Sequence, residues 1–204
     1  MDARQVFTQY AGSLDSAEKH FVICPYCGCR LEMISHEHKE IPSCPACGYV
    51  QYVNPSPGVV VLVERNGKIL IGKRNGEVGR GKWSLPGGYI GFDEDYLSAA
   101  HREIREETGL AIELKGILSV VSNFIRRDVH TLVIVLHGSA AGGNEAAGDD
   151  FDDLRWIDAD SPLPTMAFDS DIHIIERYFT DFPFGAPIEP GFRNPCARSH
   201  DSGG

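Results

Sequence analysis

Apolar positions in this chain recur with two periods. Val59 to Val63 is a β-branched run, and the Asn66-Gly67 turn leads from it into Lys68 to Arg74, so the pair reads as a hairpin. Between Asp95 and Gly109 the spacing changes to that of a helix: Leu97, Ala100 and Ile104 share one flank, Asp95 is placed to cap the start, and Gly109 to stop it. Ile112 to Ile125 and Thr131 to His137 have the content of two further strands, with Arg126-Arg127-Asp128 as the turn between them. Leu154 to Ile157 follows a flexible acidic stretch, Ala140 to Asp153. Beyond Pro162 and Pro164, Asp169 or Ser170 is expected to cap a last helix to about Phe182, with Ile172, Ile175 and Phe179 on one face. Strands around a central and a terminal helix predict an α/β domain over 54–182. Residues 1–20 predict a short helix from Val6, Phe7 and Tyr10, and the tail 183–204 is expected to be poorly ordered unless docked.

Length and charge narrow the function. The 204 residues, 42% of them hydrophobic, suffice for one medium domain and a small module. A net charge of −10 argues against a general polyanion binder, so phosphates would have to arrive with metal ions. The longest apolar run is too short to span a bilayer and no signal-peptide pattern opens the chain, which predicts a cytoplasmic protein without membrane contact.

Four of the six cysteines form near-identical knuckles, Cys24-Pro-Tyr-Cys27-Gly and Cys44-Pro-Ala-Cys47-Gly, sixteen residues apart. That spacing predicts a four-cysteine zinc ribbon over 21–53 holding structural Zn2+, although four-thiolate geometry alone also admits iron. Arg30 and Lys39 against Glu32, Glu37 and Glu40 leave the ribbon one charge negative, a poor phosphate clamp, so packing or a homodimer interface is the expected role. Cys29 and Cys196 read as unpaired thiols.

The chemistry concentrates between Gly88 and Leu110. A helix turns about 100° per residue, so Glu103, Glu106 and Glu107 fall on one flank, and like charges at that spacing repel by a few tenths of a kcal/mol per pair, roughly, until a cation joins them. These acids are expected to stay accessible while the apolar flank packs. Gly88, five residues, Glu94, seven residues, then Arg102-Glu103-Ile104 and Glu106-Glu107 before Gly109-Leu110 resembles the Nudix box at every specified position, and Gly81, Trp83, Leu85, Pro86 and Gly87 resemble its approach. The resemblance implies an α/β/α sandwich with a mixed sheet. It also implies Mg2+ or Mn2+ held by Glu103, Glu106 and Glu107 with Glu94, and Arg102 bracing the acids by ion pairs. A loop acid, Glu145, Asp150, Asp152 or Asp153, would join them. Arg74, Gly87, Gly88 and Asp153 are the candidate substrate contacts, and Tyr89, Phe124 and Phe168 the aromatics available to stack a base.

The ribbon before the box and the segment Ala167-Phe168-Asp169-Ser170 after it resemble zinc-ribbon Nudix proteins related to ADP-ribose and flavin dinucleotide pyrophosphatases. That resemblance implies hydrolysis of a nucleoside diphosphate linked to another moiety. The SQPWPFPxS motif of the relatives specific for reduced nicotinamide dinucleotide is not found, which lowers that substrate. The competing expectation is a Nudix-fold regulator that binds a nucleotide, or a nucleic-acid-associated ribbon protein. A complete box and an acidic surface count against both.

Overall fold

The structure is a computed structural model and describes residues 20–126, 128–183, 185–188 and 193. The helix expected over 1–20, Arg127 of the expected two-arginine turn, Cys196 and most of the tail lie outside the described residues. In chain order the elements are β1 (Glu32–His36), β2 (Lys39–Ser43), β3 (Ser56–Arg65), β4 (Lys68–Arg74), β5 (Trp83–Ser84) and β6 (Gly87–Tyr89). Helix α1 (Tyr96–Thr108) follows, then β7 (Leu110–Arg126), β8 (Val129–Gly143), β9 (Phe151–Ile157), α2 (Asp169–Asp181) and β10 (Ala186–Pro187). They fall into two compact units. One holds residues 57–123 and those from 131 onward, the other the ribbon and the hairpin tip 124–130.

In the larger unit a sheet runs in the order β10-β7-β8-β3-β4-β5, with β6 beside β3 and β9 beside β4. The β3–β4, β3–β6, β4–β5, β4–β9 and β7–β10 pairings are antiparallel, and the bridge from Trp83 to Met166 is parallel. Alternation along the strands splits the core in two. Val59, Val61, Val63 and Leu70 face α1 through Leu97, Ala100 and Ile104. Leu62, Ile69 and Ile71 face α2 through Ile174 and Ile175. One helix on each face of one sheet makes the α/β/α sandwich expected from the sequence.

The hairpin turns at Asn66-Gly67, both with positive φ (54° and 74°). Asp95 caps α1, accepting from Leu97 N and Ser98 N, and Gly109 ends it at φ 69°. Three expectations need correction. The α1 acids are not all accessible, since Glu103 is 8% and Glu107 1% exposed; the helix presents them to the sheet edge at Gly87 and Gly88, where no side chain blocks them. The stretch 140–153 is not all flexible loop. β8 continues to Gly143, and β9 starts at Phe151, where it pairs with Arg74 at the end of β4. Finally, α2 is entered from Phe168 without a side-chain cap bond, and Ser170 is buried instead of capping. In the tail, Ala186 and Pro187 pair with β7, and Ile188 enters the core beside α1.

The smaller unit is built on repetition. Each knuckle closes the same way: Cys24 N donates to Cys29 O and Gly28 N to Cys24 O, as Cys44 N does to Tyr49 O and Gly48 N to Cys44 O. Between them β1 and β2 form an antiparallel hairpin. Among the described residues its apolar cluster is Cys24, Leu31 and Cys44, with Cys29 and Tyr49 against it. So small a core leaves stability to whatever the thiols hold.

Candidate active site

β6 and the turn that follows it carry Gly87 to Glu94 past the buried flank of α1, and the acids meet there. A cavity of about 640 Å³ is lined by residues 87–91 with Asp93 and Glu94, by Arg102, Glu103 and Glu107 of α1, and by Asp149 and Asp150. Tyr89 is 56% exposed and faces this cavity.

Arg102 is the internal cation. Its Nε donates to Glu94 Oε2 at 3.0 Å and Nη2 to Glu94 Oε1 at 2.6 Å, a bidentate pair. Nη1 donates to Glu103 Oε1 at 2.8 Å and Glu106 Oε2 at 3.0 Å, and Nη2 also reaches Tyr89 O at 3.1 Å. One guanidinium thus gathers three carboxylates and the backbone of the cavity wall. It holds Glu94 below the usual carboxylate range, helped by Gly91 N–H.

Glu107 stands apart from this fork. Its Oε2 accepts from Gly87 N at 2.8 Å. Burial pushes its carboxyl up to about 8; the Gly87 bond opposes this and the charge of Glu103 adds to it. Burial also raises Glu103 above its ordinary value, against the pull of Arg102 and with Glu106 and Asp149 adding repulsion. Two desolvated acids, the charge of Glu103 raising Glu107 and those of Glu106 and Asp149 raising Glu103, call for a further cation. Their oxygens are the donors that Mg2+ and Mn2+ take.

The acidic loop reaches the site through backbone bonds. Ala146 N donates to Thr108 O and Gly148 N to Glu107 O at the end of α1, while Asn75 binds the carbonyls of Asp149 and Asp150. Of the loop acids weighed from sequence, Asp150 comes to the cavity. Glu145 is taken by Arg65 (2.6 Å) and Trp156 Nε1 (2.9 Å). Asp152 and Asp153 lie exposed on β9, where Asp153 accepts from its neighbour Leu154 N, and neither lines the cavity. Asp149 was not singled out in the sequence, where nothing separates it from the run of acids around it. Arg74 is 12% exposed at its side chain: Nε donates to Val78 O, Nη1 to Ser84 Oγ, Nη2 lies 3.6 Å from Asp150, and the guanidinium sits 5.4 Å over the Phe168 ring. Phe124 packs edge-on to His130 and does not line the cavity.

In the ribbon, Cys24, Cys27, Cys44 and Cys47 bring their sulfurs within 4.8 Å of one another, with Cys24–Cys47 at 3.6 Å and Cys27–Cys44 at 3.4 Å. Zn–S bonds of about 2.3 Å in a tetrahedron put sulfurs about 3.8 Å apart, so four thiolates in this arrangement fit a zinc ion.

The NUDIX domain profile matches residues 54–178, more than half of the chain. The chain belongs to the Nudix family. Among its relatives, ADP-ribose pyrophosphatase of Methanocaldococcus jannaschii is 37% identical over 131 residues, 64% of this Nudix chain and 76% of that protein. The NAD-capped RNA hydrolase NudC of Pseudomonas aeruginosa is 28% identical over 186 residues, 89% of this chain and 64% of its own length. A NUDIX hydrolase structure from Nitrosomonas europaea superposes with a TM-score of 0.72 at 24% identity over 82% of this chain and 95% of that one, a likeness of fold. No helix among the described residues is long and apolar enough to cross a membrane.

Proposed function

We propose that this Nudix protein hydrolyses the diphosphate of a nucleoside diphosphate linked to a second moiety, with ADP-ribose as the first substrate to test and FAD or a related dinucleotide next. The observation that carries this reading is the burial of Glu103 and Glu107 together beside one cavity wall, where two desolvated carboxylates would share a cation. The 37% identity to an ADP-ribose pyrophosphatase supports the choice of substrate. With ADP-ribose the bond broken is a P–O–P bridge, water supplies the new oxygen, and the products are AMP and ribose 5-phosphate.

In this reading Glu103, Glu106 and Glu107, with Glu94, hold Mg2+ or Mn2+, which when bound would neutralise the diphosphate and acidify a water. Arg102 braces Glu94, Glu103 and Glu106 through its hydrogen bonds to all three. Asp149, Asp150 and Glu103 line the cavity, which supports them as the candidates to take the proton from water. Gly87 and Gly88 let a phosphate come close to the strand, and Arg74, near Asp150, adds positive potential. Asp153 drops behind Asp150 as a substrate contact. Zn2+ in the ribbon is structural, because four thiolates leave no open position. The chain works as a homodimer through the ribbon, whose Phe21, Val22, Tyr26 and Tyr52 are exposed.

Steady-state hydrolysis with Mg2+ or Mn2+ across ADP-ribose, FAD, NADH, nucleotide sugars and nucleoside triphosphates tests this. Turnover of ADP-ribose or a dinucleotide, abolished by Glu106→Gln, is expected. No turnover on any member would leave the nucleotide-binding regulator in its place.

A further inference from the structure

Four consecutive residues ahead of the active-site helix are each held by a different element. Ser84 Oγ accepts from Arg74 Nη1 at 3.4 Å. Leu85 N donates to Asp171 Oδ2 at 3.0 Å. Pro86 O accepts from Val61 N at 2.9 Å. Gly87 N donates to Glu107 Oε2 at 2.8 Å. Two of these holds are carboxyls buried on opposite faces of the sheet, Glu107 from α1 and Asp171 from α2, at 1% and 4% exposure.

Asp171 is an unexpected residue for its place. Ile172, Ile174 and Ile175 around it pack in the apolar cluster under α2. Burial drives its carboxyl up to about 7, offset in part by Leu85 N–H and the charge of Arg74. A buried acid is a costly way to stabilise a helix face, and an apolar side chain there would pack as well or better. What Asp171 does that an apolar residue cannot is fix the Leu85 amide. The next residue is Pro86, with φ already set, so the position of Leu85 passes with little slack to Gly87. The segment before α2 lies against the same arc, since Trp83 N donates to Thr165 O and Ala167 N to Trp83 O. Arg74 acts electrostatically on both acids.

We propose that Asp171 is a positioning residue for the carboxylate cluster: by holding Leu85 N–H from α2 it fixes Gly87 N–H against Glu107, and so aims the Glu107 carboxylate at the divalent ion. This rests on the metal-site reading above. The chemical requirement is an oxygen acceptor at Asp171, and its charge is dispensable.

Asp171→Asn keeps an oxygen of the same reach, and Asp171→Leu removes it. Mn2+ affinity without substrate, measured by calorimetry on the full zinc-loaded chain, is compared with the thermal midpoint and with kcat and KM for ADP-ribose. A lost outer partner of a metal ligand typically weakens the metal by about 10–100-fold. Asp171 stands one step further out, holding the segment that carries the Gly87 partner, so Asp171→Leu is expected to weaken Mn2+ by about tenfold, the low end of that range, and to lower kcat more than it raises KM, with Asp171→Asn within about threefold of wild type. A folded leucine variant that binds Mn2+ like wild type would overturn the inference, and so would an asparagine variant as impaired as the leucine one. If the leucine variant does not fold, Asp171→Ser, whose shorter side chain draws the acceptor back from Leu85, is judged by the same criteria. Wild-type protein that binds no Mn2+ would sink the metal-site reading and the inference with it, whereas tight wild-type binding with unchanged variants removes the inference alone.

Discussion

The β-carbon that Gly88 lacks would fall on the Glu103 carboxylate. The glycine of β6 and the acid of α1 therefore share one space, and the side chain missing from the strand is what lets the helix bring its acid against the cavity wall.

Gly88→Ala should for that reason be a site variant more than a fold variant. Gly88 is outside the left-handed region, so alanine is tolerated by the backbone, but Glu103 must move away. A displacement of about 1 Å at a catalytic group costs on the order of 10²-fold in rate. Hydrolysis should fall by about that factor while the circular-dichroism melt stays within a few degrees. A near-normal kcat would show that Glu103 is not needed where the structure has it.

Glu107 makes the stability of the protein depend on pH when Mg2+ and Mn2+ are withheld. Its folded value of about 8 lies above its ordinary 4.5, so between the two the folded chain keeps a proton that the unfolded chain has lost. The contribution is fully present below about 4.5 and is lost as pH rises through about 8, at about 1.4 kcal/mol per pH unit across that window. Melting in zinc-containing buffer free of other divalent ions should therefore drop from pH 6 to pH 9. Glu107→Gln should reduce the drop to the part that Asp171 and Glu103, also raised by burial, contribute, and added Mg2+ should recover the wild-type midpoint at pH 9 but not that of the variant. An identical slope in wild type and variant would assign the effect elsewhere.

Cys44→Ser should separate the two units. The ribbon cluster holds Cys44 itself, and ion binding at such sites is worth about 10–16 kcal/mol of folding in isolated zinc-finger peptides. Metal analysis is expected to fall from about one zinc per chain towards none, by the stoichiometry of a four-thiolate site. Amide exchange should lose protection across residues 24–50 and keep it across 57–123. Full zinc content in the variant would refute the four-cysteine site.

Much of this was legible in the chain because it is local. Asn66-Gly67 specifies its hairpin through two positive-φ residues, Asp95 and Gly109 delimit α1 within fifteen positions, and each knuckle closes within a turn of its own cysteines. The side-chain period of two sends Val59, Val61 and Val63 of β3 to one face and Leu62 to the other. Local rules failed where long-range pairing took over. β4 drew β9 back to Phe151 and shortened the acidic loop, and Ser170 was buried where its type suggested a cap.

The candidate site divides along the same line. The sequence by itself determined which residues are acids, their helical phase, and the resemblance that assigns them a cation, because turn geometry and a 3.6-residue period are properties of neighbours. Only the tertiary structure decided that Glu107 is buried on Gly87 N–H while Glu106 stays outside, that Asp149 and Asp150 arrive at the cavity while Glu145 is spent on Arg65 and Trp156, and that Asp171 grips the same arc from the other face. Burial and hydrogen-bond partnership depend on which distant backbone comes near, and no local spacing encodes that.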